Sequence, residues 1–209
     1  MRAARTVPIS EAIDTLARRG SRSPRPLVLV GGRVLAVPPR GTQALAPEVL
    51  PPELGPVAPE LVLARLDIEE TAPYSRPLLE RIDLGRDFFV GDDSGRALIR
   101  VGSGGRAHPD LELHLDAPPM ARTETDEDDE GATRAIYMRT LRTGDPVYVL
   151  GRPTLERDED HAGYRDAPPA LCFSPTEPLH LFDDPAFQQW SAWSALPWYR
   201  KLSVLARNR

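Results

Sequence analysis

The sequence predicts a mainly β fold: a small, OB-like, partly open antiparallel barrel with an N-terminal helix and a C-terminal helical tail. Three observations lead to this fold class. Short apolar runs are separated by glycine and proline turns along most of the 209 residues. Glycines also lie inside several of these runs, where the strands of small barrels bend. Helical periodicity, finally, is confined to the two ends of the chain.

Residues 1–24 predict an amphipathic helix followed by a linker. Ile9, Ile13 and Leu16 recur at helical spacing, and Ser10 stands where a side chain can cap the first turn. The prolines of "SRSPRP" cannot continue the helix, so the linker begins there.

Residues 25–183 hold the predicted β-domain, with about six strands. The clearest apolar runs are "PLVLVGGRVLAV", which has a glycine pair at its middle, "ELVLARLDIEE", "PLLERIDLGRDFFVGDD", "GRALIRVG", "PVYVLGRP", "ALCFSP" and "PLHLF". Residues 102–134 are interpreted as a polar, acidic insertion in this domain. "RAIYMRTL", at the end of that insertion, fits either a short helix or a strand.

The stretch "FFVGDDSGRALIRV" is typical of a hairpin. Its two aspartates can accept hydrogen bonds from backbone amides, and its second glycine tolerates the positive φ of a tight turn. Two adjacent carboxylates project in different directions from an extended chain, which is a poor fit to paired acid and base catalysis. A ligand-binding rim and a cation loop are the alternative interpretations. The candidate binding residues of the rim are Phe88, Phe89, Asp92, Asp93 and Arg100.

The composition of the chain and the absence of several motifs exclude some classes of function. The net charge of −5 lacks the basic footprint of a duplex-binding protein. The single cysteine, Cys172, excludes an intrachain disulfide and a cysteine zinc cluster. The sequence contains no P-loop, no G-x-S-x-G elbow and no H-E-x-x-H motif. We therefore expect no catalytic residues, no enzymatic activity and no cofactor.

One segment, "HPDLELHLD", has the residue types that bind metals. His108, Asp110, Glu112, His114 and Asp116 alternate with leucines, so they share one face of an extended strand. Metal binding by histidine and carboxylate is chemically possible there. An edge strand with one wet face is the simpler interpretation, and we expect no bound metal.

Residues 184–209 form an aromatic and basic tail that is predicted to be helical with a proline break. Indole rings beside cations suit a membrane interface, whereas a helix that packs its aromatics on the β-domain is the alternative. No window reaches the ~20 apolar residues that span a bilayer, and the N-terminus lacks the apolar core of a signal peptide. We expect a cytoplasmic protein, with peripheral contact with the inner membrane as an option. The candidate interface residues are Trp190, Trp193, Trp198, Tyr199, Arg200 and Lys201.

Four blocks occur in an order that resembles the GIDE-type domain, also called BAM: "VLVGGRV", "APYSRPLLERIDL", "FFVGDDSGRALIRV" and "LRTGDPVYVLGRPT". That family includes the β-rich domain of membrane E3 ubiquitin ligases of the MULAN type and prokaryotic relatives. The resemblance covers roughly residues 10–183 and implies a module that docks a protein or peptide near a membrane. One cysteine and four histidines are too few for the two zinc sites of a RING finger, so ligase chemistry is not carried over. Two alternatives remain: an OB-fold nucleic-acid binder, which the acidic charge disfavours, and a ligase-like protein without the RING.

Overall fold

The computed structural model describes residues 5–19, 24–36, 60–71, 78–103, 106–108, 111–115, 120–125, 133–157, 169–176 and 178–183. Within these ranges the chain forms one helix and fourteen strands in two sheets, which confirms the mainly β prediction. The helix α1 spans Ile9–Arg19. The strands are β1 (Val28–Val34), β2 (Leu61–Thr71), β3 (Leu78–Gly85), β4 (Phe88–Asp92), β5 (Gly95–Ile99), β6 (Gly102–Ser103), β7 (Arg106–Ala107), β8 (Leu111–His114), β9 (Met120–Thr125), β10 (Thr133–Arg142), β11 (Pro146–Gly151), β12 (Thr154–Arg157), β13 (Pro169–Phe173) and β14 (Leu179–Phe182).

The larger sheet has the strand order β12-β13-β5-β4-β1-β11-β14-β8. Most neighbours in it are antiparallel, as predicted, but β13 runs parallel to β5 and β14 runs parallel to β8. The order does not return to its first strand, so the described strands form an open sheet and no closed barrel.

The glycine pair of β1 comes just before the point where that strand begins to pair with β4 as well as with β11. β1 pairs with β11 from Val28 to Arg33, whereas it pairs with β4 only at Arg33 and Val34. A Cβ atom built on Gly32 would lie 2.3 Å from the carbonyl oxygen of Gly91 in β4. Only glycine leaves room for this approach, so the structure gives a steric reason for glycine at position 32.

The smaller sheet has the order β6-β7-β3-β2-β10-β9 and is dominated by the long antiparallel pair of β2 and β10. "RAIYMRTL" is therefore part of a strand and not a helix. The predicted number of about six strands was too low, and residues 102–134, interpreted as a polar, acidic insertion, contain the strands β6 to β9. β8 has the alternating pattern that predicts a strand, whereas β6 and β7 are two residues long and β9 reads MARTET, so none of these three shows such a pattern.

One large apolar core is formed mainly by the larger sheet, and Val62, Leu63 and Leu141 of the smaller sheet also belong to it. Ile99, Val147 and Val149 are fully buried in it, as expected of the strands that follow "DDSG" and "TGDP". Leu98, which the run after "DDSG" also predicts to lie in the core, is only half-buried because it faces the outer side of the sheet. The helix α1 closes one end of the core. The core residues of α1, β1, β4 and β5 are Ile9, Ala12, Val28, Val30, Val34, Phe88, Val90, Ala97 and Ile99.

Candidate functional site

The "DDSG" turn joins β4 to β5 and also holds the start of α1. Asp92 Oδ1 accepts hydrogen bonds from the Ser94 amide at 2.8 Å, the Ser94 hydroxyl at 2.7 Å and the Gly95 amide at 2.9 Å. Asp92 Oδ2 accepts a bond from the amide of Ile9, the first residue of α1, at 2.9 Å. The Ser94 hydroxyl accepts one from the amide of Ser10 at 3.1 Å. The prediction that Ser10 caps the helix was wrong: the caps come from the hairpin.

The surroundings of Asp92 favour its charged form. Partial burial alone would raise the pKa of this carboxyl group, but the hydrogen bonds from Ser94, Ile9 and Gly95 offset that effect and hold the pKa below 3.8. The negative charge also lies at the positive end of the α1 dipole. Asp92 therefore acts as a structural cap, whereas its neighbour Asp93 is exposed in the turn.

The two phenylalanines of the predicted binding rim are packing residues. Phe88 points into the large core and is 1% exposed. Phe89 lies on the outer face and is 2% exposed, with the Arg96 guanidinium 4.2 Å from its ring centroid. At this degree of burial neither ring has surface that a ligand could contact. Only the polar residues of the predicted rim are left as candidates for ligand binding.

Like Asp93, the predicted binding residue Arg100 is exposed. Its guanidinium reaches across β13 and donates to Glu156 of β12 at 3.1 Å, and it lies 3.7 Å from Asp87. The neighbouring Cys172 is buried, and this burial raises the pKa of its thiol to about 11, so Cys172 behaves as a small apolar residue. Arg100 and Glu156 thus form an exposed ion pair beside the edge of the larger sheet.

A ladder of ion pairs crosses the smaller sheet, and sequence reasoning missed it. Asp83 accepts two bonds from Arg65, each at 2.7 Å, from Nε and from Nη2. Asp67 is buried and lies 2.6 Å from Arg81 Nε and 2.9 Å from Arg139 Nη1. The cross-strand register places Arg65 opposite Asp83 and Asp67 opposite Arg81. The charges compensate one another across the strands, which identifies the ladder as part of the sheet and not as a ligand site.

A cluster of histidine and glutamate side chains, which are residue types that bind metals, lies at the other edge of the larger sheet. β8 has the predicted pattern of an edge strand, with Leu111 and Leu113 buried and Glu112 exposed. The parallel register with β14 places His180 beside Glu112 and Phe182 beside His114. Glu112 Oε2 lies 3.1 Å from His180 Nδ1 and 3.6 Å from His114 Nε2. Of the other residues on the predicted polar face, His108 precedes β8, whereas Asp110 and Asp116 lie outside the described residues.

The two histidines of this cluster are stacked and partly desolvated. The His114 ring stacks on Phe182 with centroids 4.8 Å apart and on His180 with centroids 5.8 Å apart. Burial, with the neighbouring His180, lowers the pKa of His114 below 6.5. The neutral imidazole is therefore the dominant form of His114 at neutral pH.

Comparison of this chain with protein-family models, with curated proteins and with solved structures finds no match. The resemblance to the GIDE-type domain stays a prediction carried by its four sequence blocks. The tail residues predicted to contact a membrane lie outside the described residues: Trp190, Trp193, Trp198, Tyr199, Arg200 and Lys201. In the ranges that the structure describes, no helix has the length and apolar character needed to cross a bilayer.

Proposed function

We propose that the protein is a non-enzymatic binding module of the GIDE/BAM type, with an OB-like, partly open β-domain that docks an extended segment of a partner protein. The observation that carries this proposal is the edge strand β12. Among the described strands it pairs only with β13, and its residues Glu156 and Arg157 are exposed. An edge strand presents backbone donors and acceptors along one side, and an extended peptide binds by adding a strand there.

Of the three other described edge strands, β6, β8 and β9, two are less suited to strand addition than β12. At β8, the carbonyl oxygen of Leu113 accepts a hydrogen bond from Arg65 Nη1 at 2.6 Å, so part of that edge is already engaged. β6, at one edge of the smaller sheet, has two residues and offers too short a template. β12 combines sufficient length with an adjacent charged pair.

The pair of Arg100 and Glu156 supplies a means of selecting the partner. Both side chains are exposed, and an exposed ion pair contributes little to stability in water, about 0 to 1 kcal/mol. An acidic side chain of an incoming strand can therefore replace Glu156 as the partner of Arg100 at low cost. We expect the docked segment to carry an Asp or Glu on the side of the sheet that Arg100 occupies.

Peptide selection against the full chain tests this proposal. Short peptides from a random displayed library should include acidic sequences that slow amide hydrogen exchange in Thr154–Arg157. Arg100→Gln should weaken their binding about threefold or more, because it removes the charged partner. Arg33→Gln is the matched control, since Arg33 is an exposed arginine of β1 that also donates a hydrogen bond, to the Gly144 carbonyl. Selected peptides that protect another surface, or that ignore Arg100→Gln, would contradict docking at β12.

Peripheral contact with an anionic membrane is the second part of the proposal, and the composition of the tail supports it. Each basic residue near anionic headgroups contributes about 1 kcal/mol, and tryptophan rings favour the headgroup level. The full chain should co-sediment with phosphatidylserine vesicles at low salt and not with neutral vesicles. Arg200→Glu with Lys201→Glu should abolish this binding. Arg33→Glu with Arg142→Glu changes the net charge equally on exposed residues of the β-domain and should leave it intact. Failure of the full chain to co-sediment would favour a tail packed on the β-domain.

A further inference from the structure

We propose that Glu112, His114 and His180 bind a divalent transition-metal ion, zinc first. One ligand atom from each of these residues lies within 4.8 Å of the others. The sequence led us to expect no bound metal. The segment around His108 contains only two of the three ligands, so the sequence pattern did not show the complete site. The third, His180, comes from β14 and reaches the site through the parallel pairing of β14 with β8.

The distances suit a small ion. Zinc binds imidazole nitrogen and carboxylate oxygen at about 2.0 to 2.2 Å, which separates the ligand atoms of a tetrahedral site by about 3.4 Å. The distances from Glu112 Oε2 to the two histidine nitrogens, 3.1 and 3.6 Å, lie on either side of that value. The two histidine nitrogens lie within 4.8 Å of each other, so side-chain rotations that bring them closer by at most about 1.4 Å complete the tetrahedral set.

The ligands are held by regular structure and not by a loop. Glu112 and His114 are on β8, and His180 is on β14 directly beside Glu112. Stacking on Phe182 restricts the rotation of the His114 ring, with the two ring planes 10° apart. Ligands on paired strands, with packed rings, lose little conformational entropy when an ion binds, which favours affinity.

Exposure and charge permit entry of the ion from solvent. The side chain of Glu112 is 57% exposed, whereas those of His114 and His180 are 31% and 12% exposed, so the carboxylate lies at the solvent side of the cluster. Arg65 donates to the Leu113 carbonyl of the same strand, but Asp83 neutralises this cation with two hydrogen bonds. The carboxylate charge of Glu112 therefore acts on an approaching cation.

The types of the three ligands indicate which ion binds, and their number indicates how many coordination positions stay open for other groups. Two imidazoles and one carboxylate are ligands that zinc accepts, whereas calcium and magnesium prefer oxygen alone. Three protein ligands leave a fourth position for water or for a group of a partner. Binding would join the edge strand β8 more firmly to β14, so a gain in thermal stability accompanies it.

Titration of the metal-free full chain tests the site. After chelator treatment and dialysis, calorimetry with zinc chloride should show one ion per chain, and cobalt(II) should give the intense visible absorption of a tetrahedral site. Glu112→Gln, His114→Ala and His180→Ala should each weaken zinc binding about tenfold or more. Glu112→Gln changes an exposed side chain, so its effect does not depend on the folding of the histidine variants.

The control is His108→Ala, which removes the histidine that precedes β8 and should leave zinc affinity and the cobalt spectrum unchanged. Two outcomes would overturn the site: no zinc binding at about 100 µM free ion, where even a weak site stabilises the native state, or binding that survives both Glu112→Gln and His180→Ala. Either result leaves the peptide-docking proposal standing, because β12 lies at the opposite edge of the larger sheet.

Discussion

Gly32→Ala is expected to destabilise the protein by about 3 kcal/mol, which lowers the melting temperature by roughly 10 °C for a chain of this size. The added Cβ would lie 2.3 Å from the Gly91 carbonyl oxygen and 2.8 Å from the Gly91 carbonyl carbon. Both atoms belong to the backbone of β4, so no side-chain rotation relieves the clash. β1 and β4 must separate, and their short pairing at Arg33 and Val34 is then lost. Urea unfolding followed by circular dichroism measures the effect.

Gly31→Ala is the matched control, because it makes the same change one residue earlier in the same strand. Its Cβ would meet the Tyr148 ring at 2.7 Å, but Tyr148 is half-buried and its side chain can turn away. We expect a smaller loss, of about 1 kcal/mol. If Gly32→Ala costs no more than Gly31→Ala, the close approach of β1 to β4 is not present in the native protein.

The same glycine pair shows what could be predicted from local sequence. Two glycines inside the apolar run of β1 indicate an irregular place in the strand, and Gly32 is where β1 closely approaches the backbone of β4. The alternation of buried and exposed residues in β8 was likewise predictable, since it depends only on the pleat of one strand. The class of fold follows from such local patterns repeated along the chain.

Pairing between distant strands could not be predicted in this way. β2 and β10 carry Arg65, Asp67 and Arg139 where a strand pattern normally shows apolar residues, and these charges are compensated only across neighbouring strands. Similarly, Glu112 and His114 indicate half of a metal site, whereas His180 stands in a short apolar run with no sign of its partner. The parallel register of β8 and β14 is a tertiary fact, set by the packing of the whole sheet.

Asp92 in the hairpin turn also shows what local sequence can and cannot predict. Aspartate and glycine in "DDSG" predict side-chain bonds to the turn backbone, and Asp92 makes them. The bond of its second carboxylate oxygen to Ile9 depends on how α1 docks against the hairpin, and no local pattern contains that information. The turn was therefore interpreted correctly as a hairpin, but the positive φ expected of Gly95 is not present, and the role of Asp92 as the cap of a distant helix was missed.

Asp92→Ala is expected to cost about 2 kcal/mol at neutral pH, because it removes the cap of α1 together with the bonds that close the turn. The amides of Ile9, Ser94 and Gly95 lose their acceptor. Hydrogen exchange should quicken first in the opening turn of α1, since its end frays when uncapped. Asp93→Ala is the control: Asp93 is the exposed neighbour in the same turn, and its replacement should change stability little.

Comparison of the native chain with the Asp92→Asn variant over a range of pH isolates the contribution of the charge. The native pKa of Asp92 is lowered, so the unfolded chain binds a proton more readily than the native one does. The stability advantage of the native chain over Asp92→Asn should therefore be complete above the unfolded pKa, about 3.9. As the pH falls below that value and through the lower native pKa, the carboxylate is protonated in both states and the advantage disappears. An advantage that stays constant down to low pH would show that the charge of Asp92 plays no part in holding α1, and equal losses for Asp92→Ala and Asp93→Ala would refute the cap itself.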